Sequence, residues 1–206
     1  TPLELTPQRV DGLQHHGGSF LGSSRGSVDP AIIVESCRRW KVNQLYAIGG
    51  DGTLKGAHAV AMEAQRQGYE LAVIGVPKTI DNDILYVYKT FGFDTAVQAA
   101  REVLTAAHNE AEGAPNGVGL VKLMGRDSGF IACHATLASM VVNFCLIPEA
   151  PFVLDGPGGL LELLEKRLAR RDHAVIAVAE GAGLDLVESG EILRDKSGNI
   201  AYSQMS

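Results

Sequence analysis

Three short runs in this chain combine carboxylates, glycines, hydroxyls and cations at spacings that suit phosphoryl chemistry. The first is Gly49, Gly50, Asp51, Gly52 and Thr53, directly after the apolar residues 45–48. A strand that breaks into glycines at a helix start leaves backbone N–H groups unpaired and lets an anion approach them closely. Asp51 inside such a cradle would repel a bare phosphate. A cation between carboxylate and phosphate is therefore expected, and Mg²⁺ suits that pairing. The second run, Lys78 to Asp83, places Asp81 and Asp83 two residues apart beside Lys78 and Thr79. In an extended loop that spacing points both carboxylates the same way. Moving a phosphoryl group to an alcohol needs a carboxylate to take the hydroxyl proton and cations to neutralise the phosphate. A solvated acidic loop has the same composition, but this one directly follows the apolar residues 71–76. The third run, Met124, Gly125, Arg126, Asp127 and Ser128, offers a guanidinium suited to bidentate contact with a phosphate or sugar hydroxyls. A surface pair of Arg126 with Asp127 is its plainer explanation. Arg25, in the small-residue loop 22–26, could reach a phosphate, yet taken alone it reads as a solvated surface residue.

These runs need a frame that gathers them, and the hydrophobic pattern supplies one. Strands are expected at 19–21, 44–48, 71–76, 118–123, 143–147 and 174–179, each a short apolar run bounded by polar or glycine residues. Helices are expected at 7–16, 29–40, 54–67, 94–112, 128–139 and 160–171. Thr6–Pro7 and Asp29–Pro30 read as N-caps followed by a proline in the first turn. A small hairpin is expected at 192–202. Alternating strands and helices give an α/β fold, a Rossmann-like parallel sheet with helices on both faces. Ligands of such sheets sit beyond the carboxyl ends of the strands. The loops around Arg25, Asp51, Asp81, Arg126, Glu149 and Glu180 all leave strand ends, so one edge should carry them.

Composition narrows the partners. The 206 residues are 46% hydrophobic and 20% charged, ordinary for a globular protein, with a formal charge of −6 and no basic run. Nucleic acid is not expected as a partner, since backbone binding needs clustered Lys and Arg. No stretch approaches the length of a membrane span. Cys37, Cys133 and Cys145 are odd in number and far apart, which points away from a disulfide framework and toward the cytoplasm or an organelle interior. The chain opens on Thr1 rather than Met, as a fragment would.

Other chemistries fit less well. Gly22, Ser24 and Gly26 match the G-x-S-x-G nucleophile elbow, but an elbow needs its helix right after the serine, and Asp29–Pro30 places the helix start later. The six histidines show no ligand spacing beyond the adjacent His15–His16 pair. A Walker lysine and a dinucleotide fingerprint are both lacking.

Five runs in order, LGSSRG, GGDGT, PKTIDND, MGRDSG and IPE, resemble the phosphofructokinase family over nearly the whole chain. They look most like its long plant and trypanosomatid ATP-dependent type. The resemblance implies transfer of the γ-phosphoryl of ATP to the 1-hydroxyl of fructose 6-phosphate with Mg²⁺, in a homo-oligomer of two or four copies. By motif position Asp81 would be the base, assisted by Asp83, with Thr79 and Arg126 also catalytic. Asp51 would hold the Mg-phosphate group. Thr79, Asp81, Met124, Gly125, Arg126 and Glu149 would line the sugar-phosphate site, and Arg25, Gly50, Gly52 and Thr53 the donor. The implied fold is phosphofructokinase-like and incomplete at both ends. Residues 1–138 would form a donor-binding domain lacking its start, and 139–206 part of a sugar-phosphate-binding domain. Gly52 leaves room for an α-phosphate and favours ATP, whereas an aspartate there resembles the pyrophosphate-dependent enzymes. Lys78 pulls toward pyrophosphate, which keeps that activity as an alternative beside a non-catalytic regulatory subunit. One departure is Gly117, where many bacterial members carry an arginine that reaches a neighbouring subunit's sugar phosphate. The family's first glycine-rich nucleotide loop would precede Thr1, and its distal histidine and arginine motifs would follow Ser206.

Overall fold

A computed structural model describes residues 2–23, 26 and 28–186. Six strands and six α-helices lie along it. They are α1 Pro7–Val10, α2 Pro30–Arg39, β1 Gln44–Gly49, α3 Asp51–Arg66, β2 Ala72–Thr79, β3 Phe91–Gly92, α4 Phe93–Glu112, β4 Gly117–Leu123, α5 Phe130–Ser139, β5 Phe144–Leu146, α6 Leu160–Arg171 and β6 His173–Ala179. All strand pairs are parallel, but they form two three-stranded sheets, ordered β1-β2-β3 and β4-β6-β5, in place of one. Every loop that leaves a strand's carboxyl end within one sheet therefore emerges on the same edge.

Local chemistry sets the element ends. The Asp29 side chain accepts from the Ala31 N–H at 2.9 Å and starts α2, and Thr6 does the same for α1 through Arg9. The strand expected at 19–21 is a turn: Gly22 N–H donates to the Ser19 carbonyl at 3.0 Å, and the Ser19 hydroxyl closes back on Gly22. The helix expected over 7–16 breaks after Val10 into a separate 3₁₀ turn at Leu13–His15, because Gly12 adopts φ +75°. β2 extends to Thr79, so Lys78 and Thr79 belong to the strand and not to the loop after it. The hairpin expected at 192–202 lies outside the described residues.

Two cores hold these layers. In the first, Val34, Val60 and Ala64 of α2 and α3 pack with Leu45 and Val73. Tyr46 and Ile48 alternate with Leu45 and Ala47 along β1 and face away from α3, so only one face of this strand is covered among the described residues. In the second core, Phe93 and Leu104 of α4 meet Ile131 and Ala135 of α5 and Val175 and Ala177 of β6. Ala174 to Ala177 are buried without alternation, and α4, α5 and α6 all pack on β6, as expected of a central parallel strand covered on both faces. Residues 117–123 thus join the second sheet, and strand pairing changes from one sheet to the other across α4.

The contact of α4 with β4 is unusually close. A Cβ on Gly117 would run into the Ala111 backbone carbonyl, and one on Gly119 would stand 2.9 Å from the Ala107 carbonyl oxygen. This approach explains why Gly117 carries no side chain. Forcing a methyl group into such a contact costs about 1–3 kcal/mol. Gly117→Ala is therefore expected to lower the thermal midpoint by several degrees in differential scanning calorimetry; an unchanged midpoint would contradict the packing described.

Candidate active site

The loop after β2 buries its first carboxylate and exposes its second. Asp81 is 8% exposed, and Asp83 faces solvent. The expectation that both point the same way fails because Asn82 adopts φ +56°, a left-handed conformation that Asn tolerates. The loop is therefore kinked between the two carboxylates. The bend is held by polar contacts: Thr90 N–H donates to Asn82 Oδ1 at 2.8 Å, and the Thr90 hydroxyl donates to the Thr79 carbonyl at 2.8 Å. At the strand's last residue, the Thr79 hydroxyl donates to Asp81 Oδ2 at 3.0 Å and accepts from the Asp81 N–H at 3.2 Å.

The loop after β4 comes to the same carboxylate from the other sheet. Arg126 Nε lies 3.9 Å from Asp81 Oδ2, and the Ser128 hydroxyl donates to the Asp81 carbonyl at 3.2 Å. Gly125 (φ +142°) and Arg126 (φ +53°) both have positive φ, and a Cβ on Gly125 would sit 2.5 Å from the Ser128 carbonyl oxygen. The turn therefore requires glycine at that position. Glu180, leaving β6, accepts from the Gly125 and Arg126 N–H groups at 3.2 and 2.8 Å and fixes the turn. Glu149, after β5, accepts from the Gly129 N–H at 2.8 Å. Met124 is exposed beside them.

Electrostatics at Asp81 are opposed. Burial pushes its carboxyl above the ordinary value, and the negative charges of Asp83 and Glu180 push the same way. The Thr79 hydrogen bond and the Arg126 guanidinium pull it down, without cancelling the rise.

After the neighbouring strand, α3 begins at Asp51, so the cradle is the helix's own first turn and the helix expected from residue 54 starts three residues earlier. No side chain caps this end, and Gly50 is its N-cap. Gly50 adjoins the end of β2: a Cβ there would stand 3.7 Å from Thr79 Cβ. Among the described residues, nothing beyond its chain neighbours and the helix's own backbone lies within 4 Å of where a Cβ on Gly52 would stand. Thr53 is exposed on the same turn. Asp51 is exposed and pairs with Lys55 Nζ at 2.6 Å, one helical turn on. Arg25 lies outside the described residues. The structure thus brings together Thr79, Asp81, Arg126 and, through backbone contacts, Gly125, with Gly50 alongside. Asp51 is paired with Lys55 instead of with this group.

The residues alone pointed to no role for Lys55, Asn82, Thr90 or Ser128, and for Glu180 only to a place at a strand end. Lys55 was detectable as the i+4 partner of Asp51, and Asn82 as a residue suited to a left-handed bend. Nothing local marked Thr90 or Ser128, whose partners lie 11 and 47 residues away in the chain.

Comparison with known proteins bears on this arrangement. The family model for phosphofructokinase matches residues 2–203. The chain is 47% identical over 209 residues to an ATP-dependent 6-phosphofructokinase of Borreliella burgdorferi, covering 98% of this chain and 47% of that protein. It is 52% identical over 200 residues to ATP-dependent 6-phosphofructokinase 4, chloroplastic, of Arabidopsis thaliana, covering 96% and 38%. It is 49% identical over 185 residues to the ATP-dependent 6-phosphofructokinase of Trypanosoma brucei brucei, covering 90% and 37%. Among solved structures, a pyrophosphate-dependent phosphofructokinase from Marinobacter aquaeolei superposes with a TM-score of 0.76 at 26% identity, over 86% of this chain and 46% of that one. The chain thus spans less than half the length of the curated relatives it matches. With a match over almost its full length and the strand-end loops in place, this chain belongs to the phosphofructokinase family.

Proposed function

We propose that the protein carrying this chain is a 6-phosphofructokinase that moves the γ-phosphoryl of ATP to the 1-hydroxyl of fructose 6-phosphate, a glycolytic step. The observation that carries this reading is the buried Asp81 carboxylate, hydrogen-bonded by Thr79 and faced by Arg126 at a junction of two sheets. Asp81 accepts the proton from the sugar hydroxyl, whose oxygen attacks the γ-phosphorus as the bond to the β-phosphate oxygen breaks and ADP leaves. Its raised pKa makes it a stronger base than an ordinary aspartate. Arg126 orients the sugar phosphate together with Met124, Gly125 and Glu149, and Asp83 adds negative charge at the edge of the site.

The donor side rests on α3. Uncapped N–H groups of its first turn, with Gly50, Gly52 and Thr53, suit phosphate oxygens. Asp51 is an exposed carboxylate at that helix start, and one carboxylate with phosphate oxygens and water is the donor set Mg²⁺ accepts. Bound there, Mg²⁺ would neutralise charge on the transferring phosphate. Lys55 competes for the same carboxylate and must release it for the ion. The open space at Gly52 favours ATP over pyrophosphate, since nothing else in the described residues fills it. A homo-oligomer of two or four copies belongs to this reading, supported by the exposed Leu85, Tyr86 and Tyr88 beside the acceptor loop. So does a place in the cytoplasm or an organelle interior; among the described residues no helix is long and apolar enough to cross a membrane.

Two substitutions in the full-length protein test the two halves. Asp81→Asn keeps shape and removes the base, so kcat in a coupled fructose 1,6-bisphosphate assay should fall about 10²–10⁴-fold, whereas an unchanged kcat would remove Asp81 from the reaction. Gly52→Asp places a carboxylate in open space without a clash, so the fold should survive. Like charges about 4 Å apart repel by about 1 kcal/mol even in water and several-fold more near a protein surface. The kcat/KM for ATP should accordingly fall at least about tenfold, measured beside pyrophosphate as donor; unimpaired ATP use would contradict the donor assignment.

A further inference from the structure

The opposite edge of the second sheet carries a cluster that the chemistry at Asp81 does not use. His108 and Glu112 lie one turn apart on α4 and share a face, and His173 opens β6 beside them. One ligand atom from each lies within 4.8 Å of the other two. His108 Nε2 stands 3.6 Å from Glu112 Oε2, and His173 Nε2 stands 3.9 Å from Glu112 Oε1. Both separations exceed a hydrogen bond. The two rings meet edge to face with centroids 5.2 Å apart.

Hydrogen bonding settles which nitrogen of His173 faces the cluster. Its Nδ1 lies 3.0 Å from the Arg171 carbonyl oxygen, which can only accept, so Nδ1 carries the proton. In the neutral ring, Nε2 then turns a lone pair toward the Glu112 carboxylate. Metal-ligating histidines are held in this way, with the second ring nitrogen donating to a backbone carbonyl. His108 Nδ1 is buried without a hydrogen-bond partner, so no hydrogen bond there fixes the ring's tautomer. The frame around the cluster is itself tied, because Asn116 N–H donates to Asp172 Oδ1 at 2.9 Å and joins the end of α4 to the residue before His173. Lone pairs of an imidazole and a carboxylate turned on one point repel each other unless a proton or a metal ion stands between them.

We propose that His108, Glu112 and His173 form a site for a divalent transition metal of the Zn²⁺ class. Two imidazole nitrogens with one carboxylate oxygen suit Zn²⁺ and its borderline-soft neighbours, whereas Mg²⁺ and Ca²⁺ prefer all-oxygen sets. Tetrahedral bonds of about 2.0–2.2 Å place ligand atoms roughly 3.3 Å apart, so small rotamer changes close the present spacing. A fourth position is open to water beside Glu112, which is half exposed. The rise of α4 puts His108 roughly 22 Å from Phe93, at the Asp81 end of the helix. The metal therefore serves structure, pinning the end of α4 to the start of β6.

Zn²⁺ alone is the probe. Chelator-stripped full-length protein is titrated against a chromophoric Zn²⁺ indicator, for the wild type, Glu112→Gln and His173→Gln, with circular dichroism confirming that each variant is folded. Glu112 is exposed, so its substitution leaves the core intact. One Zn²⁺ per chain should bind the wild type at least about tenfold more tightly than either variant, and Zn²⁺ should raise the thermal midpoint of the wild type more than theirs. Equal uptake by all three proteins, or none by the wild type, would overturn the site.

Discussion

Asp81 is a carboxylate withdrawn from water, with one hydroxyl hydrogen bond and a guanidinium standing 3.9 Å off. Removing a negative charge from water is costly unless it is paired, and here the pairing is incomplete. The result is a carboxylate that holds a proton more tightly than it would in solution, which suits a general base while it remains ionised. Other parts of the molecule can be read as the means of keeping it so. Asn82 and Thr90 bend the loop so that Asp81 is buried while Asp83 is not. Ser128 ties the Asp81 backbone to the second sheet, and Glu180 fixes the turn that presents Arg126. Loosening any of these would let water reach the carboxylate and return it toward an ordinary aspartate.

The fold makes this economical because all the strands are parallel. Loops after β2, β4, β5 and β6 leave at carboxyl ends, and the hydrogen bonds from Ser128 to Asp81 and from Arg126 to Glu180 join them across the chain. β1 pairs with β2 through Gly49 opposite Pro77, which sets the start of α3 beside Thr79. A donor bound at the helix start and an acceptor bound at Asp81 would therefore meet across adjacent strand ends. The close approach of α4 to β4 at Gly117 fixes the helix on its own sheet within the second layer.

Much of this was legible in the residues. Parallel α/β order followed from the alternation of apolar strands and amphipathic helices, and α6 and β4 fall within a residue of their expected bounds. Asp81, Thr79 and Arg126 stood out because carboxylate, hydroxyl and guanidinium followed apolar runs. Long-range partnership was less legible. Strand order departs from chain order in the second sheet, β4-β6-β5, and apolar periodicity does not tell two sheets from one; Ser128 gave no local sign that it would bond to Asp81. The opposite fates of Asp81 and Asp83 depend on a left-handed Asn82, a backbone choice that residue spacing alone does not specify.

The central claim is that Asp81 acts as the base and is tuned by burial against the Thr79 hydrogen bond. It is tested most directly by the pH dependence of kcat for the full-length protein and its Thr79→Val variant, at saturating ATP and fructose 6-phosphate. A base must be ionised, so activity should fall as pH drops through its folded-state pKa. Because that pKa is raised, the acid limb should lie above the range of an ordinary aspartate. Removing the Thr79 hydroxyl deletes the strongest influence lowering it, so the limb should move to still higher pH in the variant. An acid limb at the ordinary aspartate value, or one that stays in place without the hydroxyl, would contradict the account.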